Sequence, residues 1–319
     1  MFLSAVQSKI SAAAYRSTGD FCAWIEEQTA SALEGRDPNE AALVAFPELI
    51  GVPLLFHLER NTSAIKVQEA GLELAREAWL AALHLSLRHL HFSLSNLILP
   101  RAILMHTAIL EAFSNAAKKH GAFIVGGSSF LPLVDDEAAK GVHIADARVQ
   151  NVSYLFASSG RILGRSAKLN LTSGMESALG LNRARLPEIS AARTPLGGIA
   201  TLICYDSFFE SCVERADALG ASILVQPSAN AAQWNGPWGA NKALIEGEEW
   251  LARGLPLRLQ HRANLRYGVN PMLVGKLFDL EFQGCSHISA NISLTGHEKP
   301  ILGIAARPNE FAVVSARVD

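Results

Sequence analysis

Ile199-Ala-Thr-Leu-Ile-Cys-Tyr-Asp206 is a short apolar run that ends on a thiol, and Ala221-Ser-Ile-Leu-Val-Gln-Pro-Ser228 is a second run further along. The stretch between them, near Glu210–Leu219, has the spacing of a helix. Apolar runs of this length on either side of a helix predict buried strands of an α/β sheet. Cys204 then stands at the C-terminal tip of a strand. Chemistry collects at such tips, because the strand is rigid and the loop beyond it is open. The thiol is a candidate nucleophile, and its meaning depends on the partners the rest of the chain supplies.

Outward from this unit the same alternation continues. Phe2–Gln7, Ala41–Phe46 (closed by Pro47) and Phe123–Gly127 predict strands. Thr18–Leu33 and Arg101–His120 predict helices, the second stopped by Gly121. Val149–Ala157 and Arg161–Lys168 flank Ser159-Gly160 and predict a hairpin. Further on we expect a helix near Lys242–Arg253 and strands near Tyr267–Leu273, Phe282–Ser289 and Ala312–Val318. Hairpins mixed with βαβ units imply an α/β fold with parallel and antiparallel strands. The chain has no Pro/Gly/Ser-rich linker and no internal repeat, so residues 1–319 are expected to form a single domain.

Bulk properties narrow the function. Of 319 residues, 49% are apolar and 18% charged, which permits a large core and argues against global disorder. The formal net charge is −2, with both signs interspersed, and gives no case for a nucleic-acid partner. Cys22, Cys204, Cys212 and Cys285 are widely spaced and form no CxxC pair, which argues against a zinc site or a disulfide framework and fits a reducing cytoplasm. Met1-Phe-Leu-Ser-Ala-Val-Gln7 lacks the basic start of a signal peptide and reads as a strand.

Lys66–Leu99 stands apart. Trp79, Leu83, Leu87, Leu90, Leu94 and Leu97 step by four, four, three, four and three, a single helical stripe, with His84, Arg88, His91 and Ser95 on a polar face. This predicts an amphipathic helix whose stripe packs on the body or on another subunit. A membrane-surface helix is the alternative, and Arg88 with the histidines argues against a span. No carboxylate or cysteine joins those histidines as a metal site.

Two further residues share the placement of Cys204. Glu48 follows Ala41-Ala-Leu-Val-Ala-Phe-Pro47 at a strand tip, where partial burial raises a carboxyl pKa toward that of a useful base. Lys168 ends the second hairpin arm, Gly160-Arg-Ile-Leu-Gly-Arg-Ser-Ala-Lys168, and there a fixed cation faces a reacting carbonyl. Each has an ordinary alternative, a surface carboxylate and a solvated lysine. A thiol of pKa roughly 8.5 needs such neighbours to react near neutrality. Cys212 and Cys285 read as small buried apolar residues.

Phe-Pro-Glu48, the Gly160–Lys168 arm and Ile-Cys-Tyr-Asp206, in that order, resemble the three signatures of the carbon–nitrogen hydrolase, or nitrilase, superfamily. Ala5-Val-Gln7, Ala122-Phe-Ile-Val-Gly-Gly127, Asn151, Ala218–Ser228 and Phe282-Gln-Gly-Cys-Ser286 extend the resemblance over nearly the whole chain. It implies a four-layer αββα sandwich, no metal or other cofactor, and homo-oligomers. It implies Glu48 as general base, Lys168 as oxyanion stabiliser and Cys204 as nucleophile, with Glu176 in support. Tyr205-Asp206 resembles the amidase and carbamoylase branches, which implies an amide-type small-molecule substrate, with nitrile hydrolysis as the alternative. Tyr205, Phe130 and Trp234, with Trp238, are the expected pocket residues. Other readings are an isochorismatase-like cysteine hydrolase, a silent scaffold of the same fold, and lipoprotein acyl transfer. Three departures from the family pattern stand out: Arg262-Ala-Asn-Leu-Arg266, Ser207-Phe-Phe-Glu210, and the inserted helix around 66–99.

Overall fold

Two mixed sheets carry the alternation read from the sequence, and the faces of their strands decide what lies on each side. The computed structural model describes residues 1–56, 66–137, 141–172, 175–239 and 241–319. The first sheet has seven strands, ordered Ala312–Arg317, Phe2–Gln7, Ala42–Phe46, Phe123–Gly126, Gly141–Phe156 and Ser129–Glu137, with Ile162–Ala167 also paired to Gly141–Phe156. The second has six: Ile301–Ile304, His287–Ala290, Tyr267–Asn270, Ile223–Val225, Gly197–Thr201 and Ala191–Thr194. The central strands of both run parallel, and the outer ones pair antiparallel.

Period-two alternation splits each strand between two cores. Leu3, Ala5, Leu43, Ala45 and Val125 face the second sheet and pack with Ile199, Ile223, Val225, Val269 and Ile288. Phe2, Val6, Val44 and Phe46 face the other way, onto helices α1 (Thr18–Ala32) and α3 (Leu99–His120); α2 (Val67–His89) comes between these two in chain order. Phe113 of α3 meets Phe46 edge-on at 5.1 Å and Phe21 at 6.2 Å. Burial of one such ring is worth roughly 1.5–3 kcal/mol. After a single turn, α4 (Met175–Ala178), come α5 (Glu210–Ala218), α6 (Glu246–Arg253) and α7 (Leu255–Arg258). Val213, Ala216, Leu255 and Leu259 cover the outer face of the second sheet at Ala200, Leu202 and Leu224. The order is helix, sheet, sheet, helix: the expected αββα sandwich.

Several elements differ from expectation. Ser129–Glu137 is a strand, extending the hairpin into a three-stranded unit. Its Asp135-Asp136-Glu137 end gave no apolar alternation to read. Phe282–Ser289 is two strands broken at Gly284, where a Cβ would stand 2.2 Å from the Met272 side chain. Lys242–Ile245 is strand, and the helix starts at Glu246.

The larger correction concerns the insertion. α2 packs through Ala70, Leu74, Ala78, Ala82 and Ser86, all but Leu74 small residues that allow close approach. The predicted packing stripe faces outward: Trp79, Leu83, Leu87 and Leu90 are all exposed. The helix also ends before the stripe does, because Leu90 turns left-handed (φ 49°), and Leu94 and Leu97 fall in a separate 3-10 turn, Leu94–Ile98. His91 is therefore off the polar face, and its ring nitrogen lies 3.1 Å from Asn96 Oδ1. The segment Leu94–His120 is long and apolar enough to cross a membrane by length and composition, and half of its most apolar 18-residue stretch is buried inside the fold.

Two departures from the family pattern meet in space. Glu210 of Ser207-Phe-Phe-Glu210 binds Arg258 at 2.7 Å and also pairs with Arg262, the first residue of Arg262-Ala-Asn-Leu-Arg266.

Candidate active site

Glu48 is delivered by a tight turn after the strand Ala42–Phe46. Leu49 takes φ 62°, and its N–H donates to Ser128 Oγ at 3.0 Å. Gly127 makes this turn possible: its φ is 61°, and a Cβ there would stand 2.2 Å from the Pro47 carbonyl oxygen. No L side chain fits such a position without moving the backbone that carries Glu48.

Lys168 follows the hairpin arm Ile162–Ala167, and its N–H donates to Asn151 O at 2.9 Å, the last rung of the pairing. Cys204 opens a short 3-10 turn, Cys204–Phe208, with φ 51°. A non-glycine residue held there is strained by roughly 1–3 kcal/mol and stays only because its surroundings fix it. Here Cys204 N donates to Pro227 O at 2.8 Å and Gln226 Nε2 donates to Cys204 O at 2.9 Å.

These three segments, with α4 carrying Glu176, bring Glu48, Lys168, Glu176 and Cys204 together, all buried. Lys168 Nζ donates to Glu48 Oε1 and to Glu176 Oε2, each at 2.7 Å. Asn151 Nδ2 donates to Glu48 Oε1 at 2.9 Å and to Glu176 Oε1 at 2.7 Å, so one amide ties both carboxylates. Ala229 N donates to Glu48 Oε2 at 3.1 Å, while the Ala229 carbonyl lies 3.9 Å from the Cys204 sulfur. Among the described residues no group of three His, Cys, Asp or Glu is arranged to hold a metal.

Electrostatics separate the roles. Burial pushes the Glu48 carboxyl above its ordinary range, and the pull of Lys168 does not fully reverse it. Glu176 is also penalised by burial, but Lys168, Thr172 and Asn151 hold it below its ordinary range. Burial would lower the Lys168 pKa, yet Glu48, Cys204 and Glu176 raise it, so the ammonium persists. Burial and then the Glu48 charge hold the Cys204 thiol well above its usual pKa. The resting arrangement is a neutral thiol beside a buried carboxylate of raised basicity and a fixed cation. That set suits nucleophilic attack with concurrent proton removal.

Asp206 was read only as a neighbour of the thiol, but it does more. Its buried carboxylate accepts the Leu169 N–H at 3.0 Å, the Asn170 N–H at 2.7 Å and Asn170 Nδ2 at 2.9 Å. It thus ties the chain just after Lys168 to the turn that holds Cys204. Burial raises its pKa to about 6 against the pull of those donors.

The expected pocket residues divide. Tyr205 is 42% exposed beside Cys204 and packs edge-on against Phe209 at 5.0 Å. Phe130 is buried directly opposite Asn151 in the strand register. Trp234 is buried against Trp250 at 6.3 Å and against Gly247, where a Cβ would come within 2.5 Å of the indole. Trp238 stacks on Phe208 at 6.4 Å.

The chain matches the carbon-nitrogen hydrolase family over residues 4–246 and belongs to that family. It is a hydrolase acting on C–N bonds. Its fold is similar to solved structures of an amidase from Nesterenkonia sp. AN1. A variant carrying acrylamide on its active-site cysteine aligns with a TM-score of 0.62 at 16% identity, covering 100% of this chain and 93% of that one. A further variant, described as an amidase of the nitrilase superfamily, aligns with a TM-score of 0.62 at 16% identity, covering 100% and 92%. A third, in complex with butyramide, aligns with 0.59 at 16%, covering 99% and 89%. No curated protein matches the chain by sequence.

Proposed function

We propose that the chain hydrolyses carboxamides or carbamoyl compounds through an acyl-enzyme on Cys204. The observation that carries this reading is the buried Glu48–Lys168–Glu176 cluster around a thiol held neutral. Glu48 takes the thiol proton as sulfur bonds to the carbonyl carbon, and the C=O π pair moves to oxygen. Lys168 uses two of its three protons on the carboxylates and has a third for that oxyanion. The Tyr205 N–H, in the first turn of a short helix, is the second donor. Such donors are worth roughly 3–4 kcal/mol each. Collapse breaks the C–N bond, and the amine or ammonia leaves with the proton from Glu48. Water then gives a proton to Glu48 and adds to the thioester; the C–S bond breaks and the thiolate recovers the proton.

Glu176 positions Lys168. Tyr205, being exposed, touches the substrate, while Phe130 and Trp234 shape the floor and wall. A nitrile would pass through a thioimidate at the same sulfur; we favour amides because Tyr205-Asp206 stands beside it, and the similar amidase was captured with butyramide. The four free thiols fit a reducing compartment such as the cytoplasm. Intact-protein mass spectrometry against a panel of amides, carbamoyl compounds and nitriles tests the reading. We expect an acyl adduct on Cys204 and none in Cys204→Ala, which keeps its fold but loses turnover. Turnover by Cys204→Ala would refute it.

A further inference from the structure

The outward face of α2 is apolar where a solvent-facing helix is normally polar. Leu72, Trp79, Leu80, Leu83 and Leu87 are each 45% exposed or more, and beyond the helix Leu90, Phe92 and Leu94 are 64% or more. Arg76 alone interrupts the row Leu72, Trp79, Leu83 and Leu87. At about 150–200 Å² for a large side chain, these residues offer on the order of 800 Å², near what one partner gives to a standard interface and above the usual patch on a monomer.

The charges beside this row identify the occupant. The adjacent ridge reads Glu69, Glu73, Glu77, then Leu80, then His84 and Arg88. It changes sign at Leu80-Ala81. A two-fold axis beside that point, perpendicular to the plane of two antiparallel helices, places Glu73 opposite Arg88 and Glu77 opposite His84, twice over. Within one residue of that register, Trp79 lies against Leu83 and Leu72 against Leu90. A ridge that complements its own reverse is what an isologous contact requires. An anionic membrane surface would meet three glutamates on the same ridge. Glu77 already pairs with Arg101 at 3.1 Å but remains 67% exposed, so it is open to a second cation.

We propose that α2 forms an antiparallel two-fold interface with a second copy of this chain. Sedimentation velocity over a concentration series, with circular-dichroism melts to verify folding, tests it. We expect a dimer at micromolar concentration and at least a tenfold higher dissociation constant for Leu83→Glu. The decisive pair is Glu73→Lys/Glu77→Lys and His84→Glu/Arg88→Glu. Each alone is expected to be a folded monomer, since the facing positions 73/88 and 77/84 then carry like charges, and their mixture is expected to form the heterodimer. A monomeric parent, a dimer untouched by Leu83→Glu, or failure of the two charge variants to pair overturns the proposal. So does a parent that stays monomeric and instead pellets with lipid vesicles.

Discussion

Replacing Asp206 by Asn tests how Lys168 and Cys204 are kept in register. The carboxylate is fully buried and accepts from two backbone N–H groups and one side-chain amide that follow Lys168 directly. Asparagine keeps one acceptor oxygen but turns an NH2 group toward the donors. One or two charge-assisted hydrogen bonds are lost, at about 1.5–3 kcal/mol each. Relief of the buried charge offsets part of this, so we expect a net stability loss of about 1–3 kcal/mol at pH 7. Lys168 is set by the same loop, and a displacement near 1 Å costs on the order of a hundredfold in rate. The expected signature is a fall in kcat with a smaller change in KM, measured on whichever amide forms the Cys204 adduct. The pH dependence adds an independent check. The folded pKa of about 6 lies above the ordinary 3.8, so the folded state holds a proton that the unfolded state releases. This group's contribution to stability is full below about pH 4 and is lost as pH rises through about 6. Urea melts from pH 4 to 7 should show that slope in the parent and lack it in Asp206→Asn. A variant with parental kcat and the same pH slope would refute the tether.

Glu48→Gln should lower kcat by roughly a hundredfold or more, because a general base contributes about 10²–10⁴. In the parent, the acid limb of kcat/KM should lie above the ordinary carboxylate range, since burial raises this group. Gly127→Ala should cost about 2–5 kcal/mol in urea melts, from left-handed strain and the clash with Pro47, and should also lower kcat because Pro47 carries Glu48.

How much of this was legible in the sequence follows from how local each signal is. The places of Cys204 and Glu48 were readable because each follows an apolar run, and that of Lys168 because it ends a hairpin arm; a strand end fixes a side chain's place with little help from elsewhere. Asn151 bridges two carboxylates from sequence-distant elements, so only its place before the hairpin marked it. The Asp206 contact joins two loops, and no periodicity encodes it. Which side of α2 meets the body was not legible, for a definite reason. A helical stripe of leucines gives the apolar face, not its direction, and the small residues Ala70, Ala78 and Ala82 took the packing side because they let the helix sit close. The strand Ser129–Glu137 was missed because its acidic end extends past the core, where pairing rather than burial keeps it in the sheet.

The buried charges of the site gain their logic from conservation of charge along the reaction. A lysine and two carboxylates under cover carry a net −1 with Cys204 neutral. Burying ions is costly, and a well-packed apolar replacement is often as stable or more so. The cluster is therefore poor value as a fold stabiliser. In the proposed attack, the thiol proton moves to Glu48 while negative charge appears on the substrate oxygen, so the total stays −1. Lys168 remains cationic throughout, and Glu176, held ionised by Lys168, Thr172 and Asn151, balances it when Glu48 becomes neutral. Negative charge thus shifts from one neighbour of Lys168 to another without any ion entering or leaving the cover. On the proposed mechanism the site needs two carboxylates for this reason: one takes up and returns the proton, and the other keeps the lysine's charge balanced while it does so.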